Sequence, residues 1–334
     1  AIEGLEKSTQ LPENDRQLFL GEALFNRAYS YFNLVNFYGD IPLLTETDVA
    51  SNSKAGRVVA SIVYNQIIED LQKAIQYLPG QYIIANNERI RANKSAASAL
   101  LARVYLFQRD WIRAEEHSSS VINNSLYELL NNIDSFGIKN NKEAILQWQL
   151  SANQTNYESS NFIFTVNPSV LCSNHLLNAF ETDDIRRTKW VKSGIYQGNT
   201  YHFPYKYKMS TSNGSEYYTI LRLSEQYLIR AEARAEQNNI LGAQSDLNTI
   251  RNRAGLGDIM ANDKPSILTA IAHERQVELF AEGNHRWFDL KRTGKADSIL
   301  AIIKGTDWQA TDTLYPIPLS DIQRNPNLVQ NEGY

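Results

Sequence analysis

The sequence has a single cysteine, Cys172, among its 334 residues. An intrachain disulfide is therefore impossible, and a metal site built from several cysteines is excluded. The five histidines never fall in an HxH or HxxxH arrangement. Imidazole groups at such spacings are what many metal sites require, so the sequence predicts neither a metal site nor another cofactor.

The chain also lacks a cluster of positive charge and a long hydrophobic run. Lysine and arginine total 33 against 37 acidic residues, which gives a formal net charge of −4. Nucleic-acid binding requires a clustered cationic surface, so no nucleic-acid partner is expected. No apolar run reaches the length of a membrane span, and a chain with 43% hydrophobic and 21% charged residues has the composition of a globular protein.

Helical patterns dominate what is present, and one of them occurs twice. SALLARVYLFQRDWIRAEEHSSSVI and EQYLIRAEARAEQNNILGAQSDLNTI each predict two helices joined by a short polar turn. Ala102 and Ala231 in the first helices are each followed by another alanine twelve positions later. Small residues at these places let antiparallel helices approach closely, as in tetratricopeptide repeats. The sequence therefore predicts an all-α fold, a tetratricopeptide-like superhelix with irregular loops and a few short strands.

We predict a single domain over residues 1–334 with an interrupted helical framework. The framework covers residues 22–142 and 219–294. Residues 143–218 form a strand-and-loop insertion, because helical spacing is lost there. Residues 295–334 are predicted to be a tail that packs on the framework.

The insertion is the first candidate for a binding region. EAILQWQL alternates apolar and polar residues as a strand does, and the 28 residues that follow (151–178) carry one charge, at Glu158. Long loops without a helical pattern inside a repeat domain are usually functional. Trp148 in the strand and Trp190 further along are expected in the core.

The stretch ELFAEGNHRWFDLKR has many charges beside much apolar surface. Glu278 and Glu282 lie four residues apart on one helix face, so they cannot flank a sugar from opposite sides as a glycosidase pair must. Glu274 falls on an apolar helix stripe, where a carboxylate is costly unless a nearby arginine pairs with it. We therefore predict a structural latch rather than a catalytic site, formed by Glu274, Arg275, Glu278, Glu282, Arg286, Asp289 and Arg292.

Four blocks carry a resemblance to a known family: GEALFNRAYSYFNLVNFYGDIPL, LRLSEQYLIRAEARAEQNNILGAQSDLNTIRNRAGL, HERQVELFAEGNHRWFDLKR and LYPIPLSDIQRNPNLVQNEGY. In order and spacing they resemble the SusD/RagB family, from Gly21 to the last residue. The resemblance implies a tetratricopeptide-like surface lipoprotein of Bacteroidetes-type bacteria. Such a protein binds glycans outside the cell for polysaccharide utilisation, covers a SusC-like TonB-dependent transporter in the outer membrane, and is not an enzyme.

The resemblance has two further implications. The seven latch residues match positions that belong to the family's framework. A lipidated cysteine and further helices usually precede the block that begins here at AIEGLEKS, so the N-terminal part of the family domain and its lipid anchor to the membrane are expected to be missing from this chain. The apolar side of AIEGLEKS indicates the end of an amphipathic helix, which agrees with that expectation.

Sugars are bound by flat aromatic faces and planar amides in shallow clefts, and segment 151–178 has this chemistry. A further candidate is the tryptophan in GTDWQATDTLYPIP near the end of the chain. An alternative is that Phe162, Phe164 and Val166 alternate as a strand and pack on the helices. The predicted ligand-binding residues are Asn153, Asn156, Tyr157, Asn161, Phe164 and Trp308.

Three functions are weighed on this basis. The preferred one is capture of an oligosaccharide and its delivery to the transporter. A peptide-binding member of the same family or a tetratricopeptide adaptor is the alternative, which the nearly uncharged segment 151–178 disfavours. An α/α-toroid glycoside hydrolase requires helical hairpins around opposed acids, and the strand-and-loop centre interrupts such a ring.

Overall fold

The computed structural model of the chain describes residues 1–84, 86–150, 157–163, 169–209 and 214–334, with only the backbone of Tyr157. In chain order its helices are α1 (Ile2–Glu6), α2 (Glu13–Tyr38), α3 (Val49–Asn52), α4 (Ala60–Tyr77), α5 (Lys94–Phe107), α6 (Trp111–Ile122), α7 (Tyr157–Phe162), α8 (Asn174–Leu177), α9 (Ile185–Lys189), α10 (Leu223–Glu236), α11 (Ile240–Arg253), α12 (Lys264–Glu278), α13 (His285–Arg292), α14 (Ala296–Lys304) and α15 (Leu319–Arg324). The strands are β1 (Ala144–Trp148), β2 (Val191–Tyr196), β3 (Asn199–Pro204) and β4 (Tyr218–Arg222). The mostly helical fold with a few short strands is confirmed.

The chain forms two compact units. One combines residues 1–80 with residues 287–334, and the other comprises residues 81–286. The division into framework, insertion and tail that the sequence suggested stays a prediction. None of the helices in the described ranges combines the length and the hydropathy that a membrane crossing requires.

The first unit is built on the two long helices α2 and α4, which pack against each other. Gly21 lies where α2 meets the end of α4, and a Cβ atom there would stand 2.9 Å from Cγ of Leu78. Glycine therefore permits the close approach. α2 ends at Gly39, whose φ of 73° lies in the left-handed region. The paired core is made of Leu24, Phe25, Ala28, Phe32, Ile67, Leu71 and Ala74.

Aromatic side chains join the C-terminal part of the first unit to α2. The rings of Phe288 and Tyr315 each lie 5.0 Å from the ring of Phe37. The N–H of Tyr315 donates a hydrogen bond of 2.9 Å to the carbonyl of Phe37. The side-chain amide of Asn331 donates one of 3.1 Å to the carbonyl of Tyr38. Ring packing and backbone hydrogen bonds thus hold the end of the chain on α2.

Two helical hairpins, α5–α6 and α10–α11, form the frame of the second unit, and α10 also packs on α6 and α12. Each hairpin turn contains one residue with positive φ, Arg109 in the first and Asn238 in the second. The next residues, Asp110 and Asn239, cap the following helix with their side chains. The predicted hairpins are confirmed. The alanines at their contacts are 0% exposed: Ala102, Ala114, Ala231 and Ala243.

Strands of the second unit form two antiparallel pairs, β1 with β4 and β2 with β3. The turn between β2 and β3 has positive φ at Gln197 and Gly198, as a two-residue hairpin of matching twist requires. In the first pair, Trp148 at the end of β1 stands opposite Tyr218 at the start of β4.

The two tryptophans expected in the core have different environments. Trp190 is 1% exposed, and its indole N–H donates a hydrogen bond of 2.9 Å to the carbonyl of Ile133. Trp148, in contrast, is 47% exposed, so its assignment to the core is wrong. Trp148 is the last residue of β1 in this two-stranded ladder. A strand pattern predicts which face of the ladder a side chain lies on, but not whether another element covers that face.

Candidate functional site

A buried ion network lies in the second unit and contains most of the acidic residues that the sequence singled out. None of its side chains is more than 7% exposed. Ionised groups at such depth require both opposite charges and hydrogen bonds. The network consists of Glu143, Asp184, Arg186, Lys206, Arg222, Arg253, Glu274, Glu278 and Glu282.

Two arginines organise the network. The Arg222 guanidinium donates to Glu143 at 2.8 Å, to Glu278 at 2.7 Å and to Glu282 at 2.6 Å. Arg186 donates to Glu274 at 2.5 Å and to Glu278 at 2.9 Å. The planar fork of a guanidinium group suits such multiple contacts with carboxylates, which a lysine could not reproduce.

The charges of the network oppose the effect of burial on its acids. Burial alone would raise the pKa of Glu278, but Arg253, Arg222 and Arg186 hold it well below its usual value. The pKa of Glu274 is raised, because burial outweighs the opposing influence of Arg186. Removing an arginine would therefore leave carboxylates that are costly to keep ionised.

Lys206 occupies an aromatic cage beside the network. Its ammonium group lies 4.3 Å from the ring centres of both Trp190 and Phe280. The same group is hydrogen-bonded to a carboxylate oxygen of Glu282 and, at 2.6 Å, to the carbonyl oxygen of Glu278. Burial lowers the pKa of Lys206 to about 8. The cage and the two acceptors fix the amine within the fold, away from solvent.

The predicted latch residues fall at several places. Arg275 is 3% exposed on α12. Arg286 is half-buried, with one guanidinium nitrogen 3.5 Å from the His175 ring nitrogen. On α13, Asp289 and Arg292 pair at 2.7 Å. Glu274, Glu278 and Glu282 belong to the buried ion network, whose contacts support the structural role that stays a prediction for all seven residues.

Glu274 and Glu181 bring carboxylate oxygens within 4.8 Å of a ring nitrogen of His273. Arg251 donates to Glu181 at 2.5 Å and lies 3.5 Å from Glu274, which Arg186 also contacts. A cation at this point would have to displace a guanidinium group that already neutralises the acids. The donor set therefore fits an ion pair and not a metal.

A stack of aromatic rings leads from the surface of the second unit into its interior. The exposed Trp148 ring stacks on Tyr218, with the ring centres 5.8 Å apart and an interplanar angle of 27°. Tyr218 stacks in turn on the buried Tyr207, at 6.2 Å and 15°. Tyr207 meets Phe136 edge to face at 5.2 Å. We call Trp148, Tyr218 and Tyr207 the aromatic stack; its outer residue, Trp148, is 47% exposed.

Glu158 on α7 contacts the aromatic stack. The hydroxyl of Tyr218 donates a hydrogen bond of 2.9 Å to the Glu158 carboxyl group. Burial raises the pKa of Glu158 to about 8, an effect that the bond from Tyr218 opposes. Glu158, the one acidic residue in the sequence of segment 151–178, is thus mostly protonated and neutral at pH 7.

The predicted ligand residues are only partly placed by the structure. Tyr157 is the first residue of α7, and the half-buried Asn161 lies in the same helix. Trp308 in the first unit is also half-buried; its indole N–H donates to Asp297 at 3.0 Å, and its ring meets Trp287 edge to face. Lying outside the described residues are Asn153, Asn156 and Phe164.

The first unit has a largely apolar groove along α2, with a volume of about 710 Å³. Tyr31, Leu34 and Leu44 contribute to its wall, together with Ile317 and Pro318 from the C-terminal part of the unit. The hydroxyl of Tyr31 is already bonded to the backbone of Leu44. Polar and charged side chains also line the groove: Asn26, Arg27, Ser30, Asp40 and Asp321. Arg27 is paired with Asp70, and the Asp40 carboxylate accepts from the N–H of Ala60, so part of this polar chemistry is already engaged.

The sequence missed the arginines that contact the buried acids and the exposure of Trp148. Arg186 lies 88 positions from Glu274, and Arg222 lies 60 positions from Glu282. No local pattern links residues so far apart. For Trp148 a signal was present: it precedes the nearly uncharged, aromatic segment that the sequence favoured as the binding region.

Comparison with known proteins agrees with the fold. The SusD family model matches residues 155–334, and a model described as "Starch-binding associating with outer membrane" matches residues 1–106. SusD-like protein P25 of Formosa agariphila is 24% identical to this chain and aligns over 100% of it and 76% of the relative.

Two solved structures are similar to this chain over 99–100% of its length. A SusD superfamily protein from Parabacteroides distasonis has a TM-score of 0.84 and 24% identity, over 99% of this chain and 82% of the other. A laminarin-binding SusD-like protein has a TM-score of 0.81 and 27% identity, over 100% and 82%. The predicted resemblance is confirmed: the SusD family model covers more than half of the chain, and this protein belongs to that family of carbohydrate-binding proteins.

Proposed function

We propose that this protein captures a glycan at the outer, cell-surface side of the outer membrane, where a lipid anchor holds it, and delivers the glycan to a SusC-like TonB-dependent transporter. The observation that carries the glycan part is the exposed Trp148 ring stacked on Tyr218 beside α7. The name of the family model that matches residues 1–106, with its reference to starch and the outer membrane, supports the ligand class and the location. The laminarin-binding relative supports a glucan.

The aromatic stack suits a sugar for physical reasons. A pyranose ring has faces of C–H groups that pack on a flat aromatic surface, and a rigid ring loses little entropy on binding. The Trp148 ring is held from behind by Tyr218, so its orientation is set before the ligand arrives. Preorganisation of this kind raises affinity because less ordering is needed on binding.

The proposed activity is binding without covalent chemistry. The acids that the sequence clusters in ELFAEGNHRWFDLKR include Glu278 and Glu282, and both are buried against arginine. A glycosidase requires two carboxyl groups that reach a sugar from opposite sides. These two cannot do so while they are enclosed in the network, so the described acids of this stretch favour a binder.

A panel of neutral and acidic polysaccharides, including laminarin and starch, tests the proposal. Retardation in affinity gels reports binding, and release of reducing ends reports hydrolysis. We expect retardation by at least one neutral glucan without release of reducing ends. Release of reducing ends would support a hydrolase, and binding of peptides instead of any glycan would support the peptide-binding alternative.

Three variants locate the site. Trp148→Ala and Tyr157→Ala are each expected to weaken binding about ten- to a hundredfold, by analogy with aromatic stacking on other planar ligands. Trp308→Ala serves as the comparison, since Trp308 lies in the first unit. If Trp308→Ala alone abolished binding, the site would be near the C-terminal part of the chain instead.

Delivery is tested separately from binding. The protein is expressed in a Bacteroidetes host with the SusC-like transporter encoded nearest to it, and the pair is purified from outer membranes. We expect the two to copurify, and glycan uptake to fall when the gene for this chain is deleted. Uptake that is unchanged by deletion would contradict delivery while leaving glycan binding intact.

A further inference from the structure

The aromatic stack is held at one point by a carboxylic acid. Tyr218 donates its hydroxyl to Glu158 at 2.9 Å and stacks on Trp148 with ring centres 5.8 Å apart. We propose that Glu158 is a positioning residue of the glycan-binding surface: its carboxyl group fixes Tyr218, and through Tyr218 it fixes the exposed Trp148 ring. This inference rests on the proposed function for its effect on glycan binding.

The geometry gives the Tyr218 ring two constraints. The Tyr218 ring stacks on both Trp148 and Tyr207, which limits tilting of the ring. Its hydroxyl donates a hydrogen bond to Glu158, which limits sliding along the strand. Tyr207 is itself anchored, because its oxygen accepts a hydrogen bond of 2.9 Å from the N–H of Thr219. The hydrogen bond from Tyr218 thus joins α7 to a ring that also stacks on the anchored Tyr207.

The protonation state of Glu158 sets the strength of this constraint. Burial raises its pKa to about 8, and the charge of Glu282 acts in the same direction. The hydrogen bond from Tyr218 and the charge of Lys206 oppose the rise, and Tyr207 is a further titratable neighbour. The neutral acid is therefore the form that fits the buried position at pH 7.

Ionisation above pH 8 changes the balance. A carboxylate at this depth gains from the Tyr218 hydroxyl but loses more through desolvation and the proximity of Glu282. Under the proposal, the ionised carboxylate turns toward water and gives up its bond to Tyr218. Glycan binding should then weaken as the pH rises through about 8, while it is strongest at lower pH.

A measurement without ligand tests the positioning directly. The indole N–H resonance of Trp148 is identified as the one absent from Trp148→Phe, and its chemical shift is followed from pH 6 to pH 9.5. We expect a shift with a midpoint near 8 in the wild type and none in Glu158→Gln, whose amide oxygen still accepts from Tyr218 but does not ionise. A resonance that does not move with pH in the wild type overturns the proposal.

Affinity for laminarin, or for whichever panel glycan binds, gives the second measurement. At pH 6, Glu158→Ala should bind about three- to tenfold more weakly, the worth of one hydrogen bond, and Glu158→Gln should restore most of that loss. The exposed Glu128 provides the control, since Glu128→Ala removes a surface carboxylate in the same unit. Equal affinities of Glu158→Ala and wild type, with equal pH profiles, would also overturn the proposal.

The two measurements separate this inference from the proposed function. If the wild type binds no glycan, the proposed function fails, but the Trp148 resonance still decides whether Glu158 positions the ring. If the wild type binds glycan but the pH dependence of the Trp148 chemical shift is the same in the wild type and in Glu158→Gln, the proposed function stands and the positioning role is wrong. Thermal unfolding of both Glu158 variants at pH 6 identifies any loss of folded protein.

Discussion

Arg186 holds three buried acids, so its removal gives the most demanding test of the buried ion network. Its guanidinium group makes two hydrogen bonds with Asp184, at 2.8 and 2.9 Å, one with Glu274 at 2.5 Å and one with Glu278 at 2.9 Å. All four side chains are at most 1% exposed. Arg186→Ala would remove every one of these contacts and admit no equivalent donor.

The expected loss of stability follows from the burial of the remaining acids. Breaking a buried ion pair by removing one partner costs about 3–5 kcal/mol, because the other charge is left uncompensated. Three acids lose a donor here, but Glu278 keeps Arg222 and Arg253, and Glu274 keeps Arg251. We therefore expect a loss within that range rather than a multiple of it.

The loss should depend on pH with a definite sign. Arg186 is among the groups that hold the pKa of Glu278 well below its usual value. A depressed pKa contributes stability that is present above the ordinary carboxyl pKa and is lost as the pH falls through the folded-state value. Arg186→Ala should therefore cost most near pH 7, and the difference from the wild type should narrow as the pH falls below about 4.5.

Urea unfolding followed by circular dichroism, at pH 7 and at pH 4, measures both effects. Arg186→Lys keeps one charge but cannot bridge the acids, so it should fall between wild type and Arg186→Ala. Lys142→Ala is the matched control: the Lys142–Glu128 pair is also in the second unit, is 71% and 60% exposed, and should contribute less than about 1 kcal/mol. A loss of under about 1 kcal/mol for Arg186→Ala, or one that is equal at both pH values, would refute the reasoning.

Three further predictions concern other parts of the second unit. Trp148→Ala should weaken glycan binding about ten- to a hundredfold in calorimetry, and because the ring is 47% exposed the melting temperature should stay close to that of the wild type; a lower melting temperature would indicate packing instead. In Gly137→Ala the new Cβ would lie 2.7 Å from the Tyr207 ring, so the free energy of unfolding should fall by about 1–3 kcal/mol. An unchanged free energy of unfolding would mean that the aromatic stack rearranges around the new methyl group without cost. Burial lowers the pKa of His285 to about 4, so the unfolded state binds a proton that the folded state lacks; stability should fall by about 2–3 kcal/mol between pH 6.5 and 4, and His285→Gln should remove that part of the pH dependence. An unaltered pH profile in His285→Gln would contradict the assignment.

Local sequence was enough to predict the helical frame. Helical spacing, small residues at helix contacts and glycine at helix ends act over a few residues, so they can be recognised without knowing the path of the chain. Ala102 and Ala231 are fully buried in hairpins as predicted, and α2 ends at Gly39. The same local logic identified Trp190 as a core residue, which its 1% exposure confirms.

The candidate site depended on more than local pattern. The alternation in EAILQWQL predicted β1 but not that, among the described residues, β4 would be the one strand paired with it, so the burial of Trp148 was wrongly inferred. Tyr218, which stacks on Trp148, is 70 positions away along the chain. Residues 151–156 and 164–168, which include three of the predicted ligand residues, lie outside the described ranges.

The sequence by itself determined that Glu274 would need a positive partner, because a carboxylate on an apolar helix face is costly to keep ionised alone. Only the tertiary structure decided that Arg186 is its partner at 2.5 Å. A buried charge imposes a requirement that can be read from its own helix. The arginine that pairs with the buried carboxylate is the one whose guanidinium group the folded chain brings within about 3 Å of it. The packing of elements that are distant in sequence sets that distance.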